Sequence, residues 1–283
     1  MRTLESSPNL TALYGKALLS GFARRGDELP DTGYELTGVA VDAEHLAAYD
    51  RVCGFRLSEE LPLTYPQVLS LPLQVKLMTD PGFPFPLVGS VHLANRITRT
   101  RPLGRGERLG IRVRVENLRP HRKGRQFDVV TEVRSDEDPG GEVVSTGVST
   151  YLRRGKGSGE REPATRDDPP RPTATWRVPA DTGRRYAEVS GDRNPIHLYP
   201  LTARLFGFPR AIAHGMWTKA RCLAGFEGRL PDSCTVDVRF QRPVLLPATV
   251  CLAVRRTDVG ADFRLFGAHG GESHLTGTIT RRP

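Results

Sequence analysis

The segment YDRVCG at residues 49–54 returns at 186–191 as YAEVSG, with Tyr, Val and Gly in register. TRPL (100–103) returns as QRPV (241–244), and TGVSTYLRR (146–154) is echoed by TGTITRR (276–282). Each match is short, but three in the same order imply a duplicated domain. That is the strongest constraint on the fold, because two halves of common descent must fold alike. Between them runs RRGKGSGEREPATRDDPPRP (153–172), which is Gly, Pro, Ser and charge with almost nothing apolar. It cannot bury a core, so it reads as a linker. The expected organisation is a first repeat at 1–155, a linker at 156–172 and a second repeat at 173–283.

Within each half the pattern begins helical and turns to period two. In GIRVRVE, Ile111, Val113 and Val115 face one way, and Arg112, Arg114 and Glu116 the other. Val236, Val238 and Phe240 alternate with Asp237 and Arg239, and Val250, Leu252 and Val254 repeat the scheme. These are half-buried antiparallel strands with one wet face. Each half is therefore expected to hold a helical opening followed by about four strands, with one helix filling the inner face of its sheet. In the second half that helix is expected over His214–Leu223, with Met216, Ala220, Leu223 and Ala224 inward and Gly225 as the stop. In the first half it should start near Pro66, and Pro72 should kink or interrupt it.

The repeat breaks at one place. From Gly54 to Tyr65 is 11 residues, and from Gly191 to His214 is 23, so the second half carries about a dozen extra. Those extra residues hold Asp192, Asn194 and His197 around Pro195, where the first half has FRLSEE and no histidine. Asp, Asn and Pro are ordinary turn and cap residues, and His197 could be a satisfied core histidine. The chemical reading is different. Pro195 breaks helical geometry, so a carboxylate and an imidazole can be aimed into one cleft to hold a water and move protons. Asn194 can brace the loop by hydrogen bonds. His214 either caps the next helix or joins the site. AHGMW then opens a helix with free backbone N–H groups, and Gly215 lets a ligand approach them closely. A helix N-terminus facing a carbonyl stabilises negative charge on its oxygen. Ser190 reads as a hydrogen-bonding neighbour rather than a nucleophile.

The stretch YAEVSGDRNPIHLYPLTARLFGFPRAIAHGMW resembles the signature of the MaoC-like, or (R)-specific enoyl-thioester hydratase (hydratase 2), family. LTYPQVLSLPLQVKLMTDPGFPFPLVGSVHLANRI in the first half is similar to the degenerate repeat of its two-repeat actinobacterial members. The resemblance covers nearly the whole chain, apart from the linker and the first thirty residues. It implies an α+β double hot-dog fold, each repeat an antiparallel sheet wrapped around a central helix, with the motif working only in the second repeat. It places the catalytic aspartate on Asp192, the histidine on His197, the supporting asparagine on Asn194 and the oxyanion-stabilising amide on Gly215. Tyr199 departs from the acidic or amide residue common there, at a position expected to cap the following helix. The implied reaction is reversible hydration of a trans-2-enoyl thioester to a (3R)-3-hydroxyacyl thioester on CoA or an acyl carrier protein. It needs no metal or other cofactor. The alternatives are a catalytically silent acyl-thioester-binding protein, a hot-dog thioesterase and a polyketide-tailoring dehydratase.

Composition bounds the rest. The formal charge is +9, carried almost wholly by arginine, with Lys only at 16, 76, 123, 156 and 219. Such a surface suits phosphates or an acidic carrier, although compositional bias also produces it. Arg193 and Arg210, expected near the mouth of the site, are the first candidates, with Ser190 and His214 as further substrate contacts. No nucleic-acid-binding signature accompanies the charge. No apolar run reaches the length of a membrane span. No secretory signal is read, and Cys53, Cys222, Cys234 and Cys251 are scattered without a CxxC pair, so a reduced, cytoplasmic setting is expected. The two repeats make a pseudo-dimer within one chain, and a homodimer of such chains stays open.

Overall fold

The computed structural model describes residues 1–19, 27–87, 89–136, 141–157 and 171–282, with backbone alone for 16–19. Most of the expected linker, residues 158–170, therefore lies outside the described residues. The order of elements is β1 (Arg2–Thr3), α1 (Leu10–Leu19), β2 (Tyr34–Val39), α2 (Ala43–Cys53), α3 (Tyr65–Thr79), β3 (Ser90–Arg99), β4 (Leu109–His121), β5 (Gly124–Ser135) and β6 (Ser145–Arg154). It continues with β7 (Ala174–Val178), α4 (Thr182–Ser190), α5 (Pro195–Leu198), α6 (Pro200–Leu205), α7 (Gly215–Ala224), β8 (Cys234–Phe240), β9 (Ala248–Thr257), β10 (Gly260–Gly267) and β11 (Ser273–Arg281).

The described strands join one sheet in the order β1-β2-β4-β5-β6-β3-β8-β11-β10-β9-β7. Read outward from the centre, β3-β6-β5-β4-β2 repeats as β8-β11-β10-β9-β7. The same five-strand topology is thus laid down twice, back to back. The seam is the antiparallel pair β3–β8, in register Asn95↔Val238 and Ile97↔Val236. Each half has one strand more than the sequence pattern announces, since β2 and β7 precede the helices. The short β7, ATWRV, has only Val178 fully buried, so its alternation is faint.

The period-two strands behave as their pattern requires. Ile111, Val113, Val236, Val238, Val250 and Leu252 are buried, while Glu116 and Arg239 are exposed. Burying each such aliphatic side chain contributes about 1.5–3 kcal/mol relative to exposure. The duplicated YxxVxG segments end α2 and α4, and both helices stop at a left-handed glycine, Gly54 (φ 82°) and Gly191 (φ 76°). The two helices pack together, with the rings of Tyr49 and Tyr186 6.3 Å apart.

Two helix expectations need correction. Pro72 does not interrupt α3, which runs unbroken from Tyr65 to Thr79. Proline removes one backbone donor there, but the helix is held by packing along both faces, with Leu73, Val75, Leu77 and Met78 all buried. In the second half α7 starts at Gly215, and His214 is its N-cap. Its buried side chains are Trp217, Thr218, Lys219, Ala220, Cys222 and Leu223, whereas Met216 and Ala224 are only half-buried. The helix is enclosed on more sides than one apolar stripe would need. The four cysteines are free and buried. Among the described residues, no helix is long and apolar enough to cross a membrane.

Candidate active site

The extra residues of the second half fold into α5 and α6, two short helices each opened by a proline. Proline at a first helical position has no N–H to leave unpaired, so PI and PL are natural starts. Asn194 caps α5 through Oδ1, which accepts the Ile196 N–H at 3.4 Å. Tyr199 caps α6 without a side-chain hydrogen bond. Its ring is exposed and lies under the Arg184 guanidinium. Gly183 lets this insertion dock on α4. A Cβ there would stand 2.0 Å from the His197 carbonyl oxygen, so only glycine allows the approach.

The docking brings Asp192, His197 and His214 together. One donor atom from each lies within 4.8 Å of the others. The two imidazoles stack with centroids 3.6 Å apart. His197 Nδ1 is 2.8 Å from the Ile212 carbonyl oxygen, and His214 Nε2 is 2.9 Å from that of Asp192. A carbonyl can only accept, so each of these nitrogens carries the proton. His197 Nε2 is then left with its lone pair. His214 Nδ1 is buried without a partner among the described residues, and its Nε2 lies 3.9 Å from Asp192 Oδ2.

Asp192 is braced through its backbone and one carboxylate oxygen. Its backbone N–H donates to Ser190 Oγ at 3.2 Å, and its Oδ1 accepts the Asn194 N–H at 3.1 Å and the Tyr14 hydroxyl at 3.2 Å. Burial works against its charge. The imidazoles of His214 and His197, then the Asn194 N–H and Tyr14 hydroxyl, outweigh burial and hold its pKa below the usual carboxylate value. Burial depresses His197 below the ordinary imidazole value, although Asp192 and the Ile212 carbonyl pull the other way. His214 is pushed down to about 3 by burial and by the His197 ring beside it. At neutral pH the site therefore presents a carboxylate and two neutral imidazoles. The spacing would also admit a cation, and one nitrogen of each ring is committed to a backbone carbonyl, an arrangement shared by imidazoles that hold metals and by those that transfer protons.

A cavity of about 230 Å³ opens over this group. Ser190, Asp192, Asn194, His197, His214 and Gly215 all line it, so six of the expected site residues converge. Gly215 opens α7, the ring of Phe240 standing 3.2 Å from where its Cβ would be. Gly215, Met216 and Thr218 of the first turn of α7 line the cavity, and the first N–H groups of a helix have no partner within the helix itself. Arg193 and Arg210 are not brought there. Both are exposed, absent from the lining, and the Arg210 guanidinium donates instead to the Pro247 carbonyl. The lining arginines are Arg154, at the end of β6, and Arg242, in the loop after β8, both far from the motif in sequence.

The first half contributes to the same cavity through Gln67, Leu71 and Gln74 of α3, His92 of β3 and Tyr151 of β6. His92 stacks on Tyr151 at 4.6 Å. Tyr14 is the residue that sequence reasoning missed. It lies 178 positions from Asp192, in the segment that adds nothing to the family resemblance, and no spacing connects them.

Comparison with known proteins follows the same lines. A family model described as MaoC like domain matches residues 161–272. The 3-hydroxyacyl-thioester dehydratase X of Mycobacterium tuberculosis is 43% identical over 259 residues, covering 90% of this chain and 91% of that protein. The peroxisomal enoyl-CoA hydratase 2 of Arabidopsis thaliana is 28% identical over 210 residues, covering 69% of this chain and 65% of that one. The crystal structure of HtdX from M. tuberculosis superposes with a TM-score of 0.78 at 41% identity, covering 88% of this chain and 99% of that one.

Proposed function

This chain belongs to the MaoC-like family and is a hydro-lyase, and from that premise we propose how its residues divide the work. The reaction is the interconversion of a (3R)-3-hydroxyacyl thioester with a trans-2-enoyl thioester and water. Asp192 and His197 are the catalytic pair. The observation that carries this reading is their convergence at the cavity wall: one ligand atom of each lies no more than 4.8 Å from the other, within reach of a single bridging water, and the His197 Nε2 lone pair is free to meet it. In the hydration direction the water oxygen bonds to C3 while the pair removes one of its protons. Negative charge moves onto the thioester oxygen, and a proton is delivered to C2. Dehydration reverses each step. The pair is best treated as one coupled unit, since its members share the water.

Gly215 and the first turn of α7 support the oxyanion, because helix N-terminal N–H groups favour developing negative charge. Ser190 and Asn194 hold the Asp192 loop in place. The first repeat (1–155) is scaffold and cavity wall, its Gln67, Leu71, Gln74, His92 and Tyr151 facing the acyl chain rather than moving protons. The second repeat (173–283), joined through the linker at 156–172, carries the chemistry. Arg154 and Arg242 are suited to the phosphates of CoA or the acidic surface of an acyl carrier protein.

The test is hydration of trans-2-enoyl-CoA substrates of increasing length, with the product resolved on a chiral column. A 3R product is expected. Asp192→Asn and His197→Ala should each lower turnover by about 10²–10⁴-fold in folded protein, and the double variant should lose little more. Full activity in either single variant, or release of free thiol instead of hydration, would overturn the assignment.

A further inference from the structure

We propose that Tyr14 is a positioning residue for Asp192, supplied by α1 at the start of the first repeat, ahead of its duplicated segments; this rests on the catalytic role given to Asp192 above. The helix α1 is anchored at its start by Asn9, whose Oδ1 accepts the Ala12 N–H at 3.0 Å. It packs on α3. Its first residue, Leu10, occupies the space over Gly191. A Cβ on Gly191 would stand 2.4 Å from Leu10 Cδ1, and Gly191 sits at φ +76° where side chains are strained anyway. The residue immediately before Asp192 is thus shaped to receive α1.

One turn further on, the Tyr14 hydroxyl donates to Asp192 Oδ1 at 3.2 Å, and its oxygen accepts the Arg193 backbone N–H. Oδ1 also accepts the Asn194 N–H at 3.1 Å. Two donors on Oδ1 fix the carboxylate plane and leave Oδ2 turned to His214, 3.9 Å away. One oxygen is held and the other is available to a bridging water. Burial and the neighbouring carboxylate raise the phenol pKa far above neutrality, so Tyr14 keeps its proton and remains a donor. The phenol also walls a smaller cavity of about 60 Å³ with Leu71, Gln74, Ser90, Tyr151, Asp192 and Asn194. Removing it would let solvent reach the back of the carboxylate.

Tyr14→Phe keeps the ring and its packing and deletes only the hydrogen bonds. Loss of a hydrogen bond to a charged group corresponds to about 10- to 100-fold. The expected result is a fall in kcat of that order with KM little changed and the melting temperature near that of the parent. In an Asp192→Asn background, Tyr14→Phe should cause no further loss in kcat. A purely structural tyrosine would weaken both backgrounds equally, which overturns the proposal, as does a parent-like kcat in Tyr14→Phe. An inactive Asp192→Asn beside a fully active Tyr14→Phe strikes down this proposal alone. A fully active Asp192→Asn strikes down the catalytic pair itself and this proposal with it.

Discussion

At the residue scale, what distinguishes Asp192, His197 and His214 from turn residues is the partner each has found. His197 would be an ordinary core histidine if both ring nitrogens were satisfied, yet among the described residues only Nδ1 has a protein partner, and the ring lines a cavity. The titratable groups facing Asp192 are Tyr14, His197 and His214, with His92, Tyr151 and Tyr186 farther off. This arrangement sets a pH dependence with a definite sign. On the proposed roles of Asp192 and His197, the working forms are carboxylate and neutral imidazole. Both pKa values are depressed, so both forms persist below the pH at which free His, at about 6.5, would protonate. We expect kcat/KM to be level through neutrality and to fall only on the acid side, with its midpoint below about 6.5. A profile that rises as pH drops from 7 to 6, measured on enoyl-CoA hydration, would mean that the imidazole works in its protonated form.

At the scale of the element, α7 does two jobs. Its N-terminus forms part of the site, and one turn later Lys219 is buried at the seam between the repeats. Its Nζ donates to the Asn95 carbonyl at 3.0 Å, to Asn95 Oδ1 at 2.6 Å and to the Val236 carbonyl at 3.1 Å. Those acceptors sit on β3 and β8, the two strands that join the halves. Three acceptors match the three N–H groups of an ammonium, while burial pulls its pKa well below the ordinary lysine range. Lys219→Met has nearly the same length but no donor. It should leave the Asn95 amide oxygen and two seam carbonyls short of a partner and cost about 2–3 kcal/mol. The measurement is urea unfolding, where the midpoint should fall with little change of slope. An unchanged midpoint would show that water or a rearranged Asn95 replaces the amine without penalty. Across the same seam, the Trp217 indole donates to the Val52 carbonyl of α2 at 3.0 Å, so α7 is tied to the first repeat by its helix as well as by its sheet.

For the whole molecule, one continuous sheet with its helices on a shared core buries imidazoles that must stay neutral. His92 is pushed down to about 4, by burial and then by Lys219, and His214 to about 3. In the unfolded chain both titrate near 6.5. Above that pH neither state binds a proton and their contribution is fully present. As pH falls from about 6.5 towards these folded values, the unfolded chain takes up protons that the folded one refuses, and stability is lost. Asp50 works the other way, because burial and Glu227 raise it to about 6 and the folded state binds its proton first. Two histidines outweigh one carboxyl, so the melting temperature should decline between about pH 7 and pH 4.5, and His92→Gln should flatten the decline. A melting temperature that rises over that range would contradict the buried, neutral state of these rings.

The chain's own pattern determined a good deal of this. Period-two strands and three collinear repeats were legible because they follow from backbone geometry and common descent, which act locally or at a fixed offset. The insertion carrying Asp192, Asn194 and His197 was legible as a break in that repeat. What tertiary structure decided depends on distance in space. Pro72 fits in an intact helix because packing outweighs one missing hydrogen bond. Arg193 and Arg210 stand beside the motif in sequence but are exposed and absent from the cavity lining, while Arg154 at the end of β6 and Arg242 in the loop after β8 reach the cavity. Tyr14 meets Asp192 only because α1, packed on α3, reaches the Gly191–Asp192 turn, and no local rule relates residues 178 positions apart. Periodicity records which face of an element is buried; which elements then meet is set by how those faces pack.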